Sequence, residues 1–249
     1  MTLLLGIDYG GSSIKAGAVE PVSGHVVGEL RSVPTPPGGG VEASRQALKT
    51  LVDLFPECRG PIGLGFPAVV KAGVTLTAAN VDKGWIHTDA AKLLQDAIGR
   101  PSFVLNDAAA AGLAEMRVGA GRGELGAVML LTFGTGIGSS LFMAGKQWPN
   151  AELGHLQVGL EEAEQQASAR VRTLQSLDFP AWVGRVNRVI EEYHRLLWPD
   201  LFIVGGGVSE RWDEFSPMLT KITRIVPAKL RQSAGVVGAA LHAAEASQR

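Results

Sequence analysis

Two stretches about 125 residues apart read alike: LLLGIDYGGSSIKAGAV at residues 3–19 and VMLLTFGTGIGSSLFMA at 128–144. Each is an apolar run, a small or acidic polar residue, a glycine-rich turn and a second apolar run. A unit that recurs after half the chain predicts two similarly built domains rather than one continuous core. The chain has 32 glycines, about 13% of its residues against a norm of ~7%. They cluster where apolar strands end, which points to tight turns and close approach of backbone to a ligand.

The rest of the pattern alternates strand and helix. Strands are expected over 26–33, 62–66, 102–106, 127–133, 139–143 and 201–204, and helices over 42–55, 90–98, 108–118, 162–175, 180–197 and 236–246. We expect an N-terminal α/β domain, 1–107, completed by the C-terminal helix at about 235–249, and a second α/β domain, 108–234. A cleft between them would collect both glycine turns.

Composition narrows the function classes. Net charge is −1, with 23 basic and 24 acidic residues, so nothing favours nucleic-acid or membrane attraction. The single cysteine, Cys58, leaves no internal disulfide and no multi-cysteine metal site. No run approaches the ~20 apolar residues of a membrane span. The start, MTLLLGIDYGG, has no basic segment ahead of its apolar run and predicts no signal peptide. A cytoplasmic protein is expected.

Candidate chemistry gathers at strand ends. In FVLNDAAAAGLAE, Asn106 and Asp107 sit between a strand and an alanine-rich helix, where open α/β sheets place ligands. Either residue could cap the helix and do nothing else, or Asp107 could serve as a general base. The first glycine turn, with Gly10, Gly11 and Ser12, offers convergent backbone N–H groups to an anion. Asp8 beside it could hold a hydrated Mg²⁺ against phosphates, and Lys15 follows. The second turn, Gly134-Thr135-Gly136, has the same character without a carboxylate. Neither is a Walker A loop, and GRGELG at 121–126 precedes a strand, so its GxGxxG spacing is a chance match. Glu152 and His155 in AELGH, and Asn80, Asp82 and Trp85 in TAANVDKGW, supply the donors, acceptors and aromatic face that suit a sugar.

In order, DYGGSSIK, ND at 106–107, LTFGTGIG, ELGH and FIVGGGVS resemble the ROK family of sugar kinases, within the actin/hexokinase/Hsp70 ATPase fold. PNAELGHL, WPDLFIVGGGVS and PAKLRQSAGVVGAAL narrow the resemblance to the polyphosphate-using glucokinases of that family. The resemblance implies an α/β architecture of two ribonuclease-H-like (actin-like ATPase) domains. It makes Asp107 the general base and gives glucose hydroxyls to Asn80, Asn106, Asp107, Glu152 and His155, with Glu164 added from the AEQQAS segment. Phosphates fall to Asp8, Gly10, Gly11, Ser12, Lys15, Gly134, Thr135 and Gly136. Gly206 and Gly207 lie where nucleotide-using relatives bind adenosine. A homodimer is the usual assembly.

Two departures bear on cofactors. Typical members follow the histidine with a cysteine-rich zinc loop, whereas residues 156–164 contain no cysteine. Mg²⁺ is therefore expected and zinc is not. Family repressors carry an N-terminal helix-turn-helix, for which a first strand starting at residue 3 leaves no room.

The implied reaction is transfer of a phosphoryl group to the 6-hydroxyl of glucose. A strictly ATP-dependent hexokinase and a non-catalytic sugar sensor are the alternatives. Residues 166–235 hold 10 basic against 7 acidic side chains, and Arg185, Arg188 and Arg195 recur on one side of a helix. Such a row suits the successive phosphates of polyphosphate, which makes polyphosphate the expected donor, with ATP as a second.

Overall fold

The computed structural model describes residues 3–79 and 81–248. They form two compact units, one of residues 1–118 with 233–249 and one of 119–232.

In the first unit, β1 (Leu4–Tyr9), β2 (Ser13–Val19) and β3 (Val26–Pro34) form an antiparallel meander. After α1 (Val41–Val52) come β4 (Ile62–Phe66), a small hairpin of β5 (Val70–Lys71) and β6 (Val74–Thr75), then α2 (Ala90–Ile98), β7 (Ser102–Asn106) and α3 (Asp107–Val118). Both β4 and β7 add in parallel, giving the order β3-β2-β1-β4-β7. The parallel strands are continuous apolar runs because both their faces are covered; β4 is buried at every residue.

The second unit repeats this plan. The meander consists of β8 (Ala127–Phe133), β9 (Ile137–Met143) and β10 (Lys146–Trp148). A short hairpin, β11 (Gln157–Val158) with β12 (Glu161–Glu162), leads to α4 (Ala163–Ala167), α5 (Ala169–Leu174) and α6 (Phe179–Leu197). Next are β13 (Leu201–Gly205), α7 (Trp212–Phe215) and β14 (Arg224–Pro227), and the sheet order is β10-β9-β8-β13-β14. Three antiparallel strands followed by two parallel ones, in both units, is the ribonuclease-H-like order. The internal repeat in the sequence is thus a repeat of topology.

The last helix, α8 (Ala234–Ala246), returns to the first unit, as expected from sequence. It lies so close that a Cβ at Gly63 would overlap the Ala239 carbonyl and one at Gly238 the Ala110 carbonyl. Backbone meets backbone there, and only glycine permits it.

Two sequence expectations are corrected. The domain boundary lies after Val118 and not after Asp107, because α3 packs on α8 along its length and belongs to the first unit. The helix over 162–175 is two helices. Ser168 is extended (φ −64°, ψ 157°), and its hydroxyl accepts the Val171 N–H to start α5 afresh.

Glycine substitutions separate close packing from open space. Gly63→Ala should destabilise by more than the ~1–3 kcal/mol usual for overpacking, since it strikes a backbone carbonyl rather than a movable side chain. Gly184, exposed within α6 with nothing near its Cβ position, should gain roughly 0.5–1 kcal/mol as alanine. Urea midpoints of the two variants check both signs.

Candidate active site

In the first unit the candidate side chains arise at the carboxyl ends of the parallel strands. Asp8 aligns with Gly65, and Phe66 with Asn106, so Asp8 and Asp107 start from one edge of the sheet on strands separated by β4. That offset is about 10 Å, two strand spacings. The glycine turn beyond Tyr9 is closed by the Gly10 N–H donating to the Ser13 carbonyl (3.1 Å). Thr35 pins it from outside, its hydroxyl donating to the Gly10 carbonyl (2.6 Å) and its N–H to the Ser12 carbonyl (3.1 Å).

Asp8 lies directly opposite Lys15 in the β1–β2 ladder, and its carboxylate rests on Gly235 in the first turn of α8. Burial pushes its pKa up, and the Lys15 ammonium partly opposes that. A carboxylate beside a glycine-rich turn could hold Mg²⁺, which keeps most of its waters and takes few protein ligands.

The start of α3 resolves which residue caps. Asn106 Oδ1 accepts the Ala109 N–H (2.9 Å), and its Nδ2 donates to the Ala68 carbonyl (3.2 Å). Asn106 is therefore the cap and a tie to the β4–β5 connection. Asp107 Oδ1 accepts the adjacent Ala108 N–H (2.8 Å) on a half-buried residue.

The TAANVDKGW loop departs from the sugar platform expected of it. Trp85 is fully buried, 4.5 Å from the Phe66 ring, and its Nε1–H donates to the Gly39 carbonyl (2.8 Å). Asp82 accepts the Gly84 N–H to start a 3₁₀ turn. Both are structural, and Asn80 lies outside the described residues.

The second unit builds its own cluster. The turn at Gly134–Gly136 is closed by Gly134 N–H to the Gly136 carbonyl (3.0 Å), and Arg170 N–H donates to the Gly134 carbonyl (3.0 Å). Glu164 lies against this turn: its Oε2 accepts the Ile137 N–H (3.3 Å) and fills the space where a Cβ on Gly136 would stand. Residues 151–155 are fixed by Ser139, whose hydroxyl donates to the Ala151 carbonyl and accepts the Leu153 N–H (2.9 Å), and by Tyr193, which donates to the Leu153 carbonyl (2.6 Å).

His155 Nδ1 then lies 3.0 Å from Glu162 and 3.8 Å from Glu164. The Glu162 hydrogen bond, with Glu164 and Glu152 nearby, raises the His155 pKa against a smaller opposing effect of burial. Burial raises Glu152, while His155 pulls it down. Glu152, His155 and Glu164 are thus brought together as expected. Glu162 joins them and was passed over in sequence because it reads as one more charge in the exposed run EEAE.

His155, Glu162 and Glu164 offer one nitrogen and two oxygens within 4.8 Å of one another. That is not the thiolate-rich set of a structural zinc site, and the nitrogen already faces a carboxylate.

Gly206 follows β13 and lies against the backbone of Phe133, next to the second glycine turn, and its carbonyl accepts the Ser209 hydroxyl (2.7 Å). Gly207 begins the following 3₁₀ turn and is exposed. The arginine row is not three open forks. Arg195 is paired with Glu192 (2.6 and 3.0 Å), Arg185 donates to the Gln166 carbonyl (3.3 Å), and Arg188 is exposed.

The ROK family model matches residues 4–171. The chain belongs to the ROK family. It is 45% identical over 237 residues to a polyphosphate glucokinase of Mycobacterium tuberculosis (strain CDC 1551 / Oshkosh), covering 95% of this chain and 89% of that protein. The inorganic polyphosphate/ATP-glucomannokinase of Arthrobacter sp. strain KM superposes with a TM-score of 0.96 at 45% identity, over 99% of this chain and all of that one. A ROK family glucokinase of Streptomyces griseus, solved with glucose and AMPPNP, gives 0.84 at 25% identity, over 98% and 99%. The two units therefore have the actin-like ATPase fold of ROK sugar kinases. No helix among the described residues is long and apolar enough to cross a membrane.

His155 should titrate above the ordinary value of 6.5, followed by NMR of its ring protons. A group whose folded pKa is raised contributes stability that is full below the unfolded pKa and lost as pH rises through the folded one. Glu162→Gln should bring the midpoint down and flatten that part of the stability profile.

Proposed function

We propose that the protein is a glucokinase that transfers the terminal phosphoryl group of inorganic polyphosphate to the 6-hydroxyl of glucose, with ATP as a second donor. The observation that carries this reading is 45% identity, over 95% of the chain, to a polyphosphate glucokinase; the glycine turns, Asp107, Glu152 and His155 support it.

Each unit contributes groups of defined character. In the first, Asp107 accepts the proton of the 6-hydroxyl. The turn offers the backbone N–H groups of Gly11 and Ser12 and the Ser12 hydroxyl to donor phosphates, beside Lys15, while the Gly10 N–H closes the turn. In the second, Glu152, His155 and Glu164 pair with sugar hydroxyls, and Gly134–Gly136 offers a second set of backbone donors. Asn106 serves mainly to shape the start of α3, which lets the adjacent Asp107 be used for chemistry. When the deprotonated oxygen bonds to the terminal phosphorus, the bridging P–O bond breaks and leaves a chain one phosphate shorter. Positioning and backbone dipoles carry most of such a reaction.

Phosphoryl transfer in this family calls for a divalent metal, and Mg²⁺ near Asp8 would neutralise and orient the donor phosphates. We expect no stoichiometric zinc, given the cysteine-free segment 156–164. Gly206 and Gly207 support ATP as the second donor, since they form a turn beside the second phosphate nest.

Asp107→Asn tests the base. Turnover should fall about 10²–10⁴-fold, with glucose affinity by calorimetry kept within a few-fold and the melting temperature unchanged, because Asn106 holds the cap. Near-wild-type turnover would remove Asp107 from the mechanism. The donor is tested by salt: the KM for polyphosphate should climb with ionic strength more steeply than that for ATP. Charge reversal at Arg185 and Arg188 should weaken polyphosphate use selectively, whereas equal losses with both donors would favour the ATP-dependent reading.

A further inference from the structure

His155 is held from behind. The segment after it folds into the two-strand hairpin β11–β12, with Gln157 opposite Glu162 and Gly159 at positive φ (71°) in the loop. Gln166, buried below, donates to the carbonyls of Val158 (2.8 Å) and Glu161 (3.3 Å), and Ala163 N–H donates to the Leu156 carbonyl (2.9 Å). These bonds fix the register that brings Glu162 beside His155. Glu162 stands at the N-cap position of α4, where a side chain would ordinarily reach forward to the helix amides, yet it makes no capping bond. It reaches back to His155 Nδ1 at 3.0 Å instead.

We propose that Glu162 is a positioning residue for the sugar-binding histidine: its carboxylate holds the Nδ1 proton of His155 and so dedicates Nε2 to a sugar hydroxyl. A carboxylate oxygen accepts and does not donate, so the shared proton resides on Nδ1. The other ring nitrogen is then an acceptor in the neutral imidazole, with its direction set by the rigid hairpin. Glu164, 3.8 Å from the same nitrogen, is committed to the Ile137 N–H and the glycine turn. Its placement reinforces the electrostatic preference without competing for the bond. Without Glu162 the ring keeps its place on a well-fixed backbone but loses its tautomer and its rotation.

This inference rests on the reading of His155 as a sugar ligand, so its test has a readout independent of turnover. Full-length protein labelled with ¹⁵N on histidine reports the tautomer of His155 directly. Above its titration midpoint the wild type should show the Nδ1–H form. Glu162→Ala should shift the ring toward Nε2–H, the form an unpaired neutral imidazole favours. In steady-state rates the same variant should raise the glucose KM about tenfold, the upper end of the worth of one neutral hydrogen bond, with kcat and the donor KM within twofold.

Glu162→Gln keeps the side-chain volume and guards against a folding artefact. Its amide can accept from Nδ1 or donate to it, so mixed tautomers and an intermediate KM are expected. Gln166→Ala, which removes two of the bonds that set the hairpin but keeps the Glu162 carboxylate, should shift the KM less than Glu162→Ala. An Nε2–H ring in the wild type, an unchanged tautomer in Glu162→Ala, or stoichiometric zinc in place of the Nδ1 proton would overturn the proposal. So would a glucose KM unmoved in both Glu162 variants of an active enzyme. Protein inactive toward glucose but showing the expected tautomer switch would fail the functional reading and leave the clasp standing.

Discussion

The first unit depends on one close approach, that of α8 to the sheet and to α3. Backbone lies against backbone at Gly63 and Gly238, where any side chain would overlap a carbonyl oxygen. The contact carries the C-terminal segment back to strands formed near the start of the chain. It also ties two acidic positions together. The first turn of α8 lies under the Asp8 carboxylate, while the middle of α8 packs on Ala110, one turn into the helix that begins at Asp107. A shift of α8 would therefore disturb both acidic positions.

The second unit solves a different problem, the placement of two carboxylates and an imidazole within 4.8 Å of one another. Glu164 is used as filler: it occupies the space left by Gly136 and accepts a backbone N–H, so its charge is compensated locally. Glu152 is pushed upward by burial and drawn back by His155, and His155 is drawn upward by Glu162. Such mutually shifted groups are common where side chains must exchange hydrogen bonds with a polar ligand. Here the shifts have a structural origin in the 3₁₀ turn at Leu153–His155 and the hairpin that follows it.

Much of this was legible in the sequence, for reasons that differ by residue. The duplicated plan could be read because each meander joins two apolar runs through a glycine turn, and such turns have few alternatives. The break at Ser168 was hidden, since the apolar period continues across it; the serine itself was the available signal, as a favoured N-cap. Trp85 was misread because an aromatic in a polar loop looks like a platform, while only tertiary packing shows it sealed against Phe66. The pairing of Arg195 was open to a visible rule, since Glu192 and Arg195 are three apart on a helix. Glu162 carried no sequence signal at all, because its meaning depends on a hairpin that returns it to His155.

The account stands or falls on where the terminal phosphoryl group goes. ³¹P NMR of the purified protein with glucose, polyphosphate and Mg²⁺ follows that group directly. The account predicts a growing glucose 6-phosphate resonance matched by loss of internal polyphosphate phosphorus, without a comparable rise in orthophosphate. Release of orthophosphate alone, or polyphosphate resonances that stay unchanged while ATP added to the same tube is consumed, would contradict it.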